Sequence, residues 1–372
     1  MVKDINKEAF FELLRAGLWE KEARLAQYNG IDFSTIMQLA ENQSLVGLVA
    51  AGFEHVSDVK APKKDVLQFV GKTMQLEQRN KSMNAFIEKL FGVFQQSGVY
   101  SLIVKGQGIA QCYERPLWRA CGDVDLFLDE ENYRKAQKLL IPIAHDIEDE
   151  NPANLHQAMT VEQWCVELHG TLRTELGGGI DSVIDEIQRE TFQNKRVRTW
   201  RNGIIDVLLP AIDDDVIFVF THILQHFFHG GIGLRQVCDW CRLLWTYREQ
   251  IDVALLENRM KRMALMPQWQ AFAALAVDTL GMPAEVMPLY SSEKKWSKKA
   301  EKILRLILES GNFGHGRDMS YKQKYPKMIE YLISFWVYSK YSFLQFLIFP
   351  KDAVKGWGRI IRMGLRAKMK KK

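Results

Sequence analysis

The spacing of the apolar residues changes twice along this chain, and that change constrains its fold more than any single motif. From about residue 5 to 95 the spacing is helical. Phe10, Phe11, Leu13 and Leu14 recur together, then Val66, Phe69, Val70, Met74 and Leu76, and the second set continues through Met83, Phe86, Leu90 and Phe94 to Gly98. That second run predicts a long helix leading into a core. Between about 96 and 210 short apolar runs take over. Val99–Val104 reads as a buried strand ending in a tight turn at Lys105-Gly106, and Ile109–Tyr113 as a short helix. Val124–Leu128 reads as a second strand, Asn132–Leu140 as a helical crossover, Gln163–His169 as a further strand and Ile204–Leu209 as another. From Asp213 the helical period returns: Ile217, Phe220, Ile223, Leu224 and Phe227 share one face, and Val237, Trp240, Leu243 and Leu244 another. Asp252–Leu265, Trp269–Leu280 and Lys298–Leu308 continue the pattern, and Gly311–Asp318 reads as a loop.

These shifts divide the chain into an N-terminal helical region (1–95), an α/β core (96–210), a C-terminal helical domain (211–310) and an apolar, aromatic segment with a basic tail (311–372). The expected fold class is α+β. At 372 residues, 47% hydrophobic and 26% charged, with 25 Gly and 10 Pro, the composition is globular and excludes extended disorder or a collagen-like repeat.

The strand Asp123-Val124-Asp125 carries the chemistry. Side chains alternate along a strand, so carboxylates at i and i+2 project from one side and can share a cation. Two oxygen ligands on a rigid strand suit Mg²⁺ (or Mn²⁺), which keeps waters and substrate phosphates as its other ligands. Leu126 and Leu128 are assigned to one face of this strand, Val124 and Phe127 to the other. Gly122, just before the pair, lets a nucleotide approach the backbone. A two-metal centre or a proton acceptor needs a third carboxylate, and Glu167, set in the apolar strand Trp164–Leu168, is the candidate, with His169 on its face.

The run LIVKGQGIAQCYERPLWRACGDVDLFLDEENYRKAQKLL resembles the core of a bacterial nucleotidyltransferase family, described as uncharacterised, within the DNA-polymerase-beta-like superfamily. The resemblance is carried by Lys105-Gly106, the Tyr113 and Pro116 spacing, Arg119, Gly122-Asp123-x-Asp125 and Val166-Glu167-Leu168-His169, then by His222–His226 and Gly233-Leu234-Arg235 with Asp239. It covers about Val99 to Leu280. It implies a mixed sheet flanked by helices, with Asp123 and Asp125 as metal ligands and Glu167 as the third acidic residue. It also implies transfer of a nucleotidyl group from an NTP to an acceptor the sequence does not name, by in-line attack on the α-phosphorus. Lys105 and Arg119 would neutralise the triphosphate, and backbone N–H groups of Gly106, Gln107 and Gly108 would reach it. Where the superfamily turn commonly places a Ser after Gly, this chain has Gln107, so a hydroxyl-to-phosphate contact is missing or replaced.

Three other features of the sequence have metal-binding, ion-pair or redox spacing. His222, His226 and His229, at i, i+4 and i+7 of a helix, have zinc-ligand spacing, but no acidic partner follows at metalloprotease spacing; the reading favoured is helix-face histidines at an interface, and a functional role would have them line the cleft with Arg235 nearby. Arg235 and Asp239, at i and i+4, read as a helix ion pair. Cys238 and Cys241 form a C-x-x-C pair inside a helix, without the preceding strand or second pair that redox or zinc chemistry needs, and read as semi-buried cysteines.

Tyr331–Phe349 is strongly aromatic and interrupted by Lys340, and residues 351–372 hold nine Lys or Arg against one Asp. This 331–372 segment fits attachment to an anionic membrane surface, and equally a core helix followed by a solvated tail. No stacking-aromatic or helix-turn-helix pattern supports nucleic acid as a partner. Five scattered cysteines and an N-terminus without an apolar signal stretch point to the cytoplasm, with peripheral attachment at the inner face of the membrane if the tail binds lipid. A non-catalytic membrane-surface protein that retains the fold is the alternative to an enzyme.

Overall fold

The computed structural model describes residues 4–174, 176–229, 231–312 and 341–350, with 329, 333 and 339 as single positions. The fold is α+β, as the apolar periods require, with helices before and after a mixed sheet.

Three short helices, α1 (Ile5–Trp19), α2 (Phe33–Asn42) and α3 (Val46–Phe53), open the chain. Asp4 and Asp32 cap α1 and α2 by accepting bonds from Lys7 N and Ser34 N. α1 and α3 cross closely because both lack a side chain at the crossing. A Cβ on Gly52 would sit 2.0 Å from the Leu13 carbonyl oxygen, and one on Gly17 would sit 1.9 Å from that of Leu48. The expected long helix is α4 (Lys63–Gln96), 34 residues ending one residue before Ser97.

The central sheet has the order β1-β2-β5-β4-β3, formed by β1 (Leu102–Ile103), β2 (Asp123–Phe127), β3 (Ala144–Ile147), β4 (His156–Val161) and β5 (Trp164–His169). β2 and β5 run parallel; the other pairs are antiparallel. Between them lie α5 (Gly106–Ala110) and α6 (Glu130–Leu140). β1 is shorter than the apolar run predicts. Val99 N is spent on the Phe94 carbonyl at the end of α4 and Tyr100 N on Asn132 Oδ1, so pairing with β2 starts at Leu102. The short helix begins earlier than expected, at Gly106, because Lys105 and Gly106 both take positive φ (58° and 40°) and turn the chain straight from β1 into α5.

Val124, Leu126 and Leu128 lie together on one face of β2. They pack with Val166 and Leu168 under Phe86, Leu90 and Phe94 of α4 and Tyr133 and Leu140 of α6. This corrects the expected pairing of Val124 with Phe127: strand alternation puts Phe127 on the opposite face, where Phe192 and Phe218 meet it edge-on at 4.9 and 5.5 Å. Each fully buried side chain of this size contributes roughly 1.5–3 kcal/mol. Burial on both sides therefore fixes β2's register, since a one-residue slip would turn its carboxylates into the apolar layer.

Phe192 and Phe218 belong to α7 (Gly178–Gln193) and α8 (Ile212–His229). Between these helices β6 (Val197–Asn202) and β7 (Ile205–Pro210) form a separate hairpin that turns at Gly203 (φ 60°). The strand expected at Ile204–Leu209 is β7, but it pairs with β6 rather than with the central sheet. α9 (Leu234–Thr246), α10 (Val253–Arg262), α11 (Met266–Asp278) and α12 (Lys294–Ser310) complete the helical half, whose core is continuous with α1–α3.

Residues 341–350 pack onto that half. Phe349 sits on Phe227 and Phe228, Gln345 Nε2 donates to the Phe227 carbonyl, and Lys299 Nζ donates to Ile348 O at 2.6 Å. The described end of the aromatic run is thus a packed helical segment. Most of 331–340 and all of 351–372, on which the membrane reading rests, lie outside the described residues. Among the described residues no helix is long and apolar enough to cross a membrane.

Candidate active site

Asp123 and Asp125 project from β2 on the side away from α4 and α6. In the parallel ladder Asp125 is paired with Glu167 and Phe127 with His169, so the acidic groups and the histidine stand side by side. Next to them on β4, His156 is paired with His169 and Ala158 with Glu167. Lys105 reaches across from the turn after β1 and bonds Asp125 Oδ1 at 2.7 Å. A non-glycine residue at positive φ is costly, and here it aims this ammonium group at the carboxylate.

His169 Nε2 lies 2.9 Å from Asp125 Oδ1 and 3.4 Å from Glu167 Oε2, and His156 Nε2 lies 3.4 Å from the same Glu167 oxygen. Facing them across a cleft are Val219, His222, Ile223 and His226 of α8 and Arg235, Gln236 and Asp239 of α9. Lys105, Gly106, Arg119, Asp123, Asp125 and Glu167 form the near wall.

The charges are strongly perturbed. Asp123 is raised to about 6, first by the negative charge of Asp125 and then by burial. Burial pushes Asp125 up as well, but Lys105 and the hydrogen bond from His169 outweigh it and hold this carboxyl below its ordinary value. Glu167 is likewise pushed up by burial and held down overall by its bonds to His156 and His169. His169 is raised because the carboxylates favour its charged form more than burial opposes it. His222 goes the other way: burial, helped by Lys105 and His226, drives it well below the usual histidine range. The cleft therefore has a wall of ionised carboxylates held by Lys105 and His169, and opposite it a neutral imidazole beside Arg235.

Not every predicted residue turns its side chain into the cleft. Arg119 is buried and forms a two-pronged bond with Asp239, Nε to Oδ1 at 3.0 Å and Nη2 to Oδ2 at 2.6 Å. Most of its charge is thus spent inside the protein. Its Nη1, also buried, has no hydrogen-bond partner among the described residues.

Gln107 turns its side chain away from the cleft. Its Nε2 donates to Asn80 Oδ1 at 3.0 Å, so it anchors α5 to α4 and leaves only its backbone to face a ligand. Gly122 is exposed, with open space where a side chain would begin, and does not line the cleft. Arg235 and Asp239 approach only to 3.9 Å, since Asp239 is held by Arg119 and Tyr113 while Arg235 Nη1 donates to Ala120 O.

His222 and His226 do line the cleft, their ring centroids 4.3 Å apart, whereas the side chain of His229 lies outside the described residues. Cys238 and Cys241 are fully buried free thiols, both raised by burial.

Two residues essential to this arrangement were missed. Asn80, fully buried on α4, donates to the carbonyls of Leu117 and Arg119 at 2.8 Å each and so holds the loop that delivers Arg119. Its signal was a lone amide within the apolar period of α4. His156, at the start of β4, completes a group with Glu167 and His169 whose donor atoms all lie within 4.8 Å of one another. Among the described residues the Asp123–Asp125–Glu167 trio does not converge that closely.

The cleft thus sets the carboxylates of the interior strands β2 and β5, with Lys105, against Arg235 and the histidines of α8. The chain matches the family model described as uncharacterised nucleotidyltransferase over residues 29–281, well over half its length, and it belongs to that family. Searches of curated proteins and of solved structures found no match.

Proposed function

We propose that the protein transfers a nucleotidyl group from an NTP to an acceptor in a reaction that depends on Mg²⁺ or Mn²⁺, within the DNA-polymerase-beta-like superfamily. The observation that carries this reading is the cleft itself: Asp123 and Asp125 share it with Lys105 on one side and Arg235 on the other. The donor set fits a divalent cation. Asp125 raises the pKa of Asp123 because the two carboxylates repel, and Lys105 answers only one of them directly, which leaves a like-charge pair that a doubly charged ion would neutralise. Asp123 and Asp125 would hold that ion, with Glu167 as the neighbouring carboxylate. Once bound, it would supply charge neutralisation at the phosphates.

The chain's own groups do the rest. Lys105, Arg235 and the unpaired Nη1 of Arg119 offer positive charge where the triphosphate would lie, and such groups supply much of the catalysis in phosphoryl chemistry. The cleft encloses about 140 Å³. Ligand sites usually span roughly 300–1,000 Å³, so this one takes the phosphate end of the nucleotide and leaves the base outside. In the transfer, an acceptor oxygen bonds to the α-phosphorus as the bond to the pyrophosphate oxygen breaks, and the acceptor gives up its proton to the carboxylate edge.

Calorimetry with each NTP in Mg²⁺ tests the reading. Wild-type protein should bind at least one NTP, and Asp125→Asn should not. A wild-type protein that binds none of them would sink the proposal.

A further inference from the structure

Beside the Asp123–Asp125 pair, two histidines to which the transfer reading gives no role converge on Glu167. We propose that His156, Glu167 and His169 form a second cation site, selective for a borderline transition-metal ion such as Co²⁺ or Zn²⁺ over Mg²⁺. The inference goes beyond nucleotide chemistry, because such a site takes its ion whether or not an NTP binds.

The spacing supports it. His156 Nε2 and His169 Nε2 each lie 3.4 Å from Glu167 Oε2. For metal–ligand bonds of roughly 2.0–2.2 Å, donors around a tetrahedral ion stand about 3.3–3.6 Å apart. Both separations match that spacing, and all three donor atoms lie within 4.8 Å of one another, so the main adjustment is for His169 Nε2 to exchange its bond to Asp125 for the ion.

The strands hold the donors rigidly. His156 and His169 are direct partners in the antiparallel β4–β5 ladder, their ring centroids 4.8 Å apart, and Glu167 is two residues from His169 on the same face. Its own partner in that ladder is Ala158, whose methyl group offers no competing hydrogen bond to the carboxylate.

The donor types set the selectivity. Mg²⁺ takes oxygen ligands and dehydrates reluctantly, whereas imidazole nitrogen suits the later first-row ions. Two imidazoles and one carboxylate give the set found at non-haem transition-metal sites with open positions. Asp125 Oδ1, 2.9 Å from His169 Nε2, links this group to the Asp123–Asp125 pair.

The test uses the full chain, stripped of metal, with Co²⁺ as the probe, because its visible bands report nitrogen coordination without any catalytic assay. One equivalent of Co²⁺ should give these bands in a large molar excess of Mg²⁺. His156→Ala, shown folded by circular dichroism, should bind Co²⁺ about tenfold or more weakly, while Asp123→Asn should bind it as wild type does. Displacement of Co²⁺ from wild type by Mg²⁺ would overturn the proposal even if His156→Ala failed to fold. So would unchanged affinity in folded His156→Ala, or equal loss in Asp123→Asn. NTP calorimetry in Mg²⁺ is a separate measurement, so failure of the transfer reading and failure of this one are told apart.

Discussion

Asp123→Asn should make the metal-free protein more stable at alkaline pH, although it removes a residue assigned to the active site. Asp123 is raised from 3.8 to about 6 in the folded chain, chiefly by Asp125. A group raised on folding contributes stability that is fully present below its unfolded value, here near pH 4, and lost as pH rises through about 6. At 1.36 kcal/mol per pKa unit, the ionised form costs the fold about 3 kcal/mol at pH 8, as an upper limit. Asn keeps the shape of the side chain and never takes the charge.

Urea unfolding in a chelator should therefore show Asp123→Asn more stable than wild type by about 2–3 kcal/mol at pH 8, shrinking towards zero at pH 4. Saturating Mg²⁺ should narrow the gap at pH 8 from the wild-type side, since a ligand at a hundred times its Kd adds about 2.7 kcal/mol. An increment independent of pH, or a variant less stable than wild type at pH 8, would refute the reasoning.

The other perturbations act through different physics. Asp125→Asn should destabilise by about 3 kcal/mol, because it leaves Lys105 largely buried without its partner, so two carboxylates two residues apart should shift stability in opposite directions. Asp239→Asn strands the Arg119 guanidinium and takes a charged acceptor from Tyr113, a loss of about 3–5 kcal/mol measurable by urea titration. Gly52→Ala puts a methyl against the Leu13 carbonyl at the α1–α3 crossing and should cost about 1–3 kcal/mol, visible as a lower urea midpoint with an unchanged slope. Arg235→Ala should weaken NTP binding about tenfold, by calorimetry, because it removes the cation that faces Asp123 and Asp125 across the cleft.

What was legible in the sequence was local. Asp123-Val124-Asp125 and Trp164–His169 each carry their own alternation, and Phe69 to Phe94 its own helical period, so β2, β5 and α4 could be read without knowing their neighbours. Gly203, the first residue of the two-residue Gly203-Ile204 turn and at positive φ, is the local signal of the β6–β7 hairpin. His156 was harder to find, since β4 buries Gln157 and half-buries Thr160, which blurs its alternation.

What the sequence did not show was long-range. Arg119 lines the cleft but shares its charge with Asp239, which lies 120 residues further along. Gln107 left open whether the phosphate contact of the usual Ser was missing or replaced, because its residue type does not say which way the side chain turns, and Asn80 decides that from α4.

Transfer from doubly labelled NTP is the most direct test of the central claim. With one isotope on the α-phosphorus and another on the γ-phosphorus, wild-type protein in Mg²⁺ or Mn²⁺ with extracts containing candidate acceptors should place the α-label on a product. The γ-label should be released as pyrophosphate, and Asp125→Asn should do neither. Recovery of the γ-label on the acceptor, with the α-label left in NDP, would show phosphoryl rather than nucleotidyl transfer and contradict the account.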